Sequence, residues 1–180
     1  MRYLWLPSFL LITACFSADT DLLPPQLENQ EVDKSPLSNE YYIAFGFDAG
    51  YCPGQDCRKL YILERDSLYE DIGTLYVGTA DWPNEESEII NLGLDKFEVV
   101  KELSEKVPDS IYSYEIGTYN LGCPNCTDQG AFFLEFMNNK EVRTFWIDPY
   151  QEEIPDFIVP YLNLIQEKLD YLRLNEAINQ

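Results

Sequence analysis

The sequence predicts an α+β fold, an antiparallel sheet of about five to seven strands with two amphipathic helices packed on it. Three observations point there. Short segments alternate apolar and polar residues with the period of a strand. Two longer segments carry apolar residues at helical spacing. Turn-forming residues separate the strand segments.

The elements follow in order. YYIAFGFD over 41–48 sets Tyr41, Ile43, Phe45 and Phe47 against Tyr42, Ala44, Gly46 and Asp48. RKLYILE and SLYEDI flank Arg65-Asp66 and read as a hairpin, and TLYVGT over 74–79 reads as another strand. A helix follows over 95–107. Asp95 and Glu98 are spaced as a capping box, with Leu94 and Val99 as a hydrophobic staple. Its apolar stripe is Leu94, Phe97, Val100, Leu103 and Val107, and Pro108 stops it. SIYSYEIG over 110–117 reads as a strand with Tyr112, Tyr114 and Ile116 on one face. AFFLEFM and EVRTFWID flank Asn138-Asn139-Lys140, where adjacent asparagines tolerate the positive φ of a tight hairpin. The last helix spans 156–176. Ile158, Leu162, Ile165, Leu169 and Leu172 make one face, and Pro160 fits only within its first turn. The chain has no internal repeat.

Composition narrows the function. Acidic residues outnumber basic ones, 32 to 12, for a net charge of −20. Such a chain lacks the cations that displace counterions from nucleic acid, and anionic lipid repels it. Nucleic acid is therefore set aside as a partner. The 14% aromatic content argues for a folded body with a charged exterior, not a disordered acidic tail. There is no histidine, which excludes His-based catalytic triads and His-ligated zinc hydrolase sites.

The N-terminus carries the clearest motif. Arg2 precedes the run YLWLPSFLLITAC, too short to cross a bilayer, which needs about 20 residues. A basic start, a short apolar middle and small residues at the end make an export signal. Its last four residues, Ile12-Thr13-Ala14-Cys15, resemble the lipobox of bacterial lipoproteins at every position. The resemblance implies cleavage before Cys15, attachment of diacylglycerol to its sulfur, and anchoring in the cell envelope. Phe16 stands where some lipoproteins have an Asp that retains them at the inner membrane, so the resemblance points to the outer membrane, on its periplasmic or surface face. Two or three acyl chains, at about 0.8 kcal/mol per buried CH₂, anchor stably where one is marginal. Residues 1–14 thus read as signal peptide and 15–39 as lipidated N-terminus and tether. The tether is polar, carries Pro24, Pro25 and Pro36, and has a typical reach of roughly 25–30 Å. Residues 40–180 read as one domain.

Removing Cys15 leaves Cys52, Cys57, Cys123 and Cys126, in CPGQDC and CPNC. Three readings stay open. In an oxidising envelope the four form two structural disulfides. Proximity favours Cys52–Cys57 and Cys123–Cys126, whereas pairing across the two loops closes a ring of about 70 residues and stabilises by roughly 2–3 kcal/mol more. The second reading is a four-thiolate zinc site, since CPNC is similar to half of a zinc knuckle. The third is thiol–disulfide exchange at CPNC. Against it, the residues after Cys126 alternate like a strand, and the low thiolate pKa of a CxxC pair comes largely from a helix start.

Other patterns weigh less. Asp81, Glu85, Glu86 and Glu88 cluster in ADWPNEESE without the alternating ligands and central Gly of a calcium loop, and read as a solvated acidic loop. DSL at 66–68 and DSI at 109–111 resemble an O-glycosylation sequon of some Gram-negative envelopes. Around GCPNCTDQGAFFLE the chain is similar to small envelope lipoproteins that have no assigned activity. The expectation is a lipid-anchored, non-enzymatic binding or assembly module without a cofactor, whose partner is an envelope protein or a small molecule. An envelope oxidoreductase using Cys123 and Cys126, or a metal-binding domain built on the four cysteines, is the alternative.

Overall fold

Strand β1 (Tyr41–Asp48) is apolar on both faces, and the fold places it at the centre of a sheet that buries both. The computed structural model describes residues 40–50, 58–73, 88–124, 126, 129–150 and 153–177. The other strands are β2 (Arg58–Leu63), β3 (Leu68–Asp71), β4 (Ile89–Asn91), β5 (Gly117–Leu121), β6 (Ala131–Asn138) and β7 (Glu141–Ile147). The seven-stranded sheet runs β4-β3-β2-β1-β6-β7-β5. All pairings are antiparallel except β5 with β7, which is parallel. The chain crosses from the β4 edge to the β5 edge through α1 (Leu94–Val100), α2 (Glu102–Glu105) and a 3₁₀ turn at Asp109–Ser113. Helix α3 (Val159–Ala177) closes the fold.

One face of the sheet carries the main core. Ile43 and Phe45 of β1, Leu134 and Phe136 of β6, and Phe145 and Ile147 of β7 meet Ile158 and the α3 residues Leu162, Ile165, Leu169 and Leu172. A row of rings runs across it. Tyr119 lies 5.4 Å from Phe145, Phe145 lies 6.2 Å from Phe136, and Phe136 lies 6.1 Å from Tyr161 of α3. Stacked, tilted and edge-on rings at such spacings add attraction beyond area burial. The Tyr161 hydroxyl donates to the Leu103 carbonyl at 3.0 Å and ties α3 to α2. On the opposite face Tyr42, Ala44, Leu60, Ile62, Ile89 and Phe133 form a second buried cluster, flanked by Tyr69, Met137 and Trp146. Among the described residues no buried side-chain polar atom lacks a hydrogen-bond partner. Among them, too, no helix is long and apolar enough to cross a membrane.

The α+β architecture matches the sequence expectation, with a mixed sheet of seven strands where a purely antiparallel one was expected. SIYSYEIG does not form the predicted strand. Asp109–Ser113 winds into a 3₁₀ turn behind Pro108, and the strand starts at Gly117. Tyr114 turns into the aromatic row, 5.2 Å from Phe145, so burial of one ring overrides the alternation. The first helix is α1 and α2 with a tightening at Lys101, whose carbonyl accepts both the backbone N–H (3.0 Å) and the hydroxyl (2.7 Å) of Ser104. No side chain caps it. Gly93 is its N-cap at φ 81°, and Asp95 lies in its first turn. Leu94 is 67% exposed, so the proposed staple is absent and Leu94 drops out of the expected stripe, whereas Phe97, Val100 and Leu103 are buried as the stripe requires. The β6–β7 hairpin turns on Asn139 (φ 50°) and Lys140 (φ 69°), two positive φ values in succession. The reading of 74–79 as a strand lies outside the described residues, as does the acidic stretch 80–87.

Gly130 sits at φ 81° where the chain enters β6, and an added Cβ would meet the Asp48 carbonyl oxygen at 2.2 Å. Backbone strain and overlap act together there. Gly130→Ala is expected to cost about 2 kcal/mol or more, read as a lower urea midpoint with an unchanged slope.

Candidate functional site

Three places in the fold gather chemistry. The first is a cleft of about 550 Å³ beside the start of α3, within the usual size range of ligand pockets. Its walls include Phe157, Pro160, Tyr161 and Leu164, with Lys106 and Glu167 as charged members. The two charges belong to one ion network. Glu102 accepts from Lys106 at 2.6 Å and from Lys168 at 3.0 Å, and Lys168 also reaches Glu167 at 3.0 Å. Helical spacing places Lys106 one turn beyond Glu102, and α3 carries Lys168, with Glu167 beside it, to Glu102. Hydrogen bonds from Lys106 and Lys168 hold the Glu102 carboxyl at about 2. Burial of Lys168 works to lower its pKa, but the Glu167 and Glu102 carboxylates more than offset this and the ammonium is stabilised. The arrangement is an apolar slot with fixed charges of both signs.

The second is Glu135, 3% exposed in the middle of β6. It lies on the sheet face away from α3, opposite Ala44 of β1 and Thr144 of β7. The Tyr42 hydroxyl donates to it at 2.7 Å and the Thr144 hydroxyl at 2.6 Å. Burial pushes its carboxyl above the usual range, and the two hydroxyl donors pull it part of the way back. Burial and the neighbouring carboxylate both drive the Tyr42 phenol upward. The triad is closed from solvent and suits a structural polar lock better than catalysis.

The third is the CPNC turn between β5 and β6. The sulfurs of Cys123 and Cys126 lie at disulfide distance with Cα atoms 5.5 Å apart, and both residues are exposed. The turn is fastened to the end of β7 by Asp148. Its carboxylate, which is buried, accepts the Cys123 N–H at 3.3 Å, the Gln129 side-chain amide at 3.4 Å and the Tyr150 N–H at 2.8 Å. Gln129 also donates to the Cys123 carbonyl at 3.1 Å, and the Asp148 N–H donates to the Leu121 carbonyl at 3.0 Å.

Of the residues singled out in the sequence, the structure places Cys123 and Cys126 together. Cys15, Cys52 and Cys57 lie outside the described residues. Among the described residues no three Cys, Asp or Glu side chains converge as a metal-binding group. Sequence reasoning passed over Glu102, Lys168, Glu135 and Asp148. Two of these left a trace. Glu135 is the one charge inside AFFLEFM, and Lys168 follows the apolar stripe residue Ile165 by one helical turn. Asp148 precedes Pro149 at a strand end, a common turn signature, which by itself does not reveal what the carboxylate holds. Comparison with family models, curated proteins and solved structures returned no match.

The two carboxylates respond to pH with opposite sign. Glu135 has a folded pKa above its unfolded value, so its contribution is fullest below about 4.3 and is lost as pH rises through the folded pKa. Glu135→Gln should therefore flatten the decline in stability above that point, read from urea midpoints across pH 4 to 8. Glu102 has a folded pKa of about 2, so its contribution is present above about 4.3 and is lost as pH falls toward 2. Glu102→Gln should remove that acid limb, measured by thermal unfolding between pH 5 and 2.

Proposed function

We propose that the chain is a lipid-anchored lipoprotein of the cell envelope whose folded domain binds a partner and catalyses no reaction. The observation that carries this is the Ile12-Thr13-Ala14-Cys15 sequence behind a short apolar run, followed at once by a polar tether. Acyl chains on Cys15 hold the chain at a bilayer, on our reading the outer membrane. The net charge of −20 keeps the domain from lying on anionic headgroups, so it stands off on its tether. The cleft at the start of α3 gives such a module a ligand-sized surface with apolar walls and both charge signs. It suits a small amphipathic molecule or an apolar side chain of an envelope protein. The absence of histidine from the chain removes the usual proton-transfer group near neutral pH.

The exposure of Cys123 and Cys126 favours a second reading, a thiol–disulfide oxidoreductase of the envelope. Against it, the pair occupies a turn between strands, with β6 starting at Ala131, and among the described residues no helix begins there to lower a thiol pKa. A reduction potential below about −300 mV marks a structural bond and ends this reading.

Intact mass spectrometry of the membrane-extracted protein tests the main proposal. It should show the chain beginning at Cys15 with added acyl mass. Cys15→Ser should move the protein to the soluble fraction. Retention of that variant with membranes, or an unacylated chain with its leader in place, sinks the reading.

A further inference from the structure

The Cys123–Cys126 turn is exposed, yet a buried carboxylate grips it from behind. We propose that Asp148 is a positioning residue that protects this exposed disulfide from reduction, by withholding from Cys123 the stabilisation a thiolate needs. The inference is independent of the membrane anchor and goes beyond the choice between a structural and an exchanging pair, because it names the residue that decides it.

The chemistry runs through the leaving sulfur. A dithiol reductant attacks one sulfur as its thiolate. The S–S bond breaks, and its electron pair leaves on the other sulfur as a thiolate. The second thiol of the reductant, once deprotonated, then displaces the first protein sulfur. The reductant ends as a disulfide, and the protein ends as two thiols after proton uptake. Both rate and equilibrium depend on how well the protein stabilises the thiolate. In exchanging CxxC pairs, backbone N–H groups at a helix start supply that stabilisation.

Here the Cys126 N–H, three residues on, is spent on the Cys123 carbonyl at 3.3 Å, and the Cys123 N–H on the Asp148 carboxylate at 3.3 Å. That carboxylate also brings negative charge to the residue that would carry the thiolate, and like charges disfavour ionisation. Gln129 bridges the Cys123 carbonyl (3.1 Å) to Asp148 (3.4 Å), so the grip spans both ends of the Cys123 peptide framework. Among the described residues a second carboxylate lies at this end of the sheet. Asp48 ends β1 opposite Ala131, at the same end of the sheet, and its carboxylate takes the Gly50 N–H at 2.9 Å.

The test uses the full mature chain in detergent, with dithiothreitol as reductant. Alkylation and peptide mass spectrometry follow Cys123 and Cys126. Asp148→Asn keeps the shape and an acceptor oxygen but removes the charge. It should speed reduction tenfold or more and lower the pH at which the reduced pair becomes reactive to alkylation. Gln129→Ala loosens the grip and leaves the charge, so it should change the rate less and leave the alkylation profile unmoved. Equal acceleration in both variants, or no change in Asp148→Asn, overturns the proposal. A measurement on the unsubstituted protein stands even if Asp148→Asn does not fold. The reduced Cys123 thiol should titrate above the ordinary value of about 8.5, and a lower value overturns the proposal.

Discussion

The two-sided burial of β1 is the constraint on which the domain depends. Ile43 and Phe45 face α3, Tyr42 and Ala44 face the other way, and all four are essentially buried. A strand in that position must be paired along both edges, and β2 and β6 supply the pairing. It must also have apolar partners on both faces. The α3 stripe and the ring row meet one face, and the Leu60, Ile62 and Phe133 cluster meets the other. Gly46 shows how tight the centre is, since a Cβ there would meet the Lys59 carbonyl oxygen at 2.0 Å.

Among the described residues the buried side-chain polar atoms are all partnered, because an unpartnered buried polar atom costs about 1–3 kcal/mol. Glu135 sits in a central strand and draws hydroxyls from the strands on either side, so one carboxylate stitches β1, β6 and β7. On the helical side, Lys168 works in the reverse sense, a scarce cation that pairs with Glu167 beside it and draws Glu102 of α2 to α3. At the strand ends, Asp148 does for backbone N–H groups what Glu135 does for hydroxyls. The excess of acids over bases, 32 to 12, leaves backbone and hydroxyl donors to carry this work where ammonium and guanidinium groups are few.

Much of the fold was legible in the sequence. The β1, β2, β3, β6 and β7 segments and the α3 stripe follow from periods of two and 3.6, because burial on a face leaves that period in the residues. Two elements were not. β4 is three residues long, too short for any period to register. β5 is largely exposed, so burial left little pattern in it, and its parallel pairing with β7 is a fact of chain path. The candidate site divides the same way. The cysteines announce themselves by residue type, but nothing local reveals that Asp148, 25 residues after Cys123, holds their turn.

The sequence by itself determined the α+β class, the strand and helix periodicities, the acidic surface and the absence of histidine chemistry, since each is a property of composition or local spacing. Only the tertiary structure decided the strand order, the crossover to a parallel edge, the joining of Glu102 to Lys168, and the placing of Glu135 and Asp148. Those depend on contacts between residues distant along the chain. Their energies come from burial and from charges meeting at a few ångströms, and neither exists until the sheet and α3 have closed on each other.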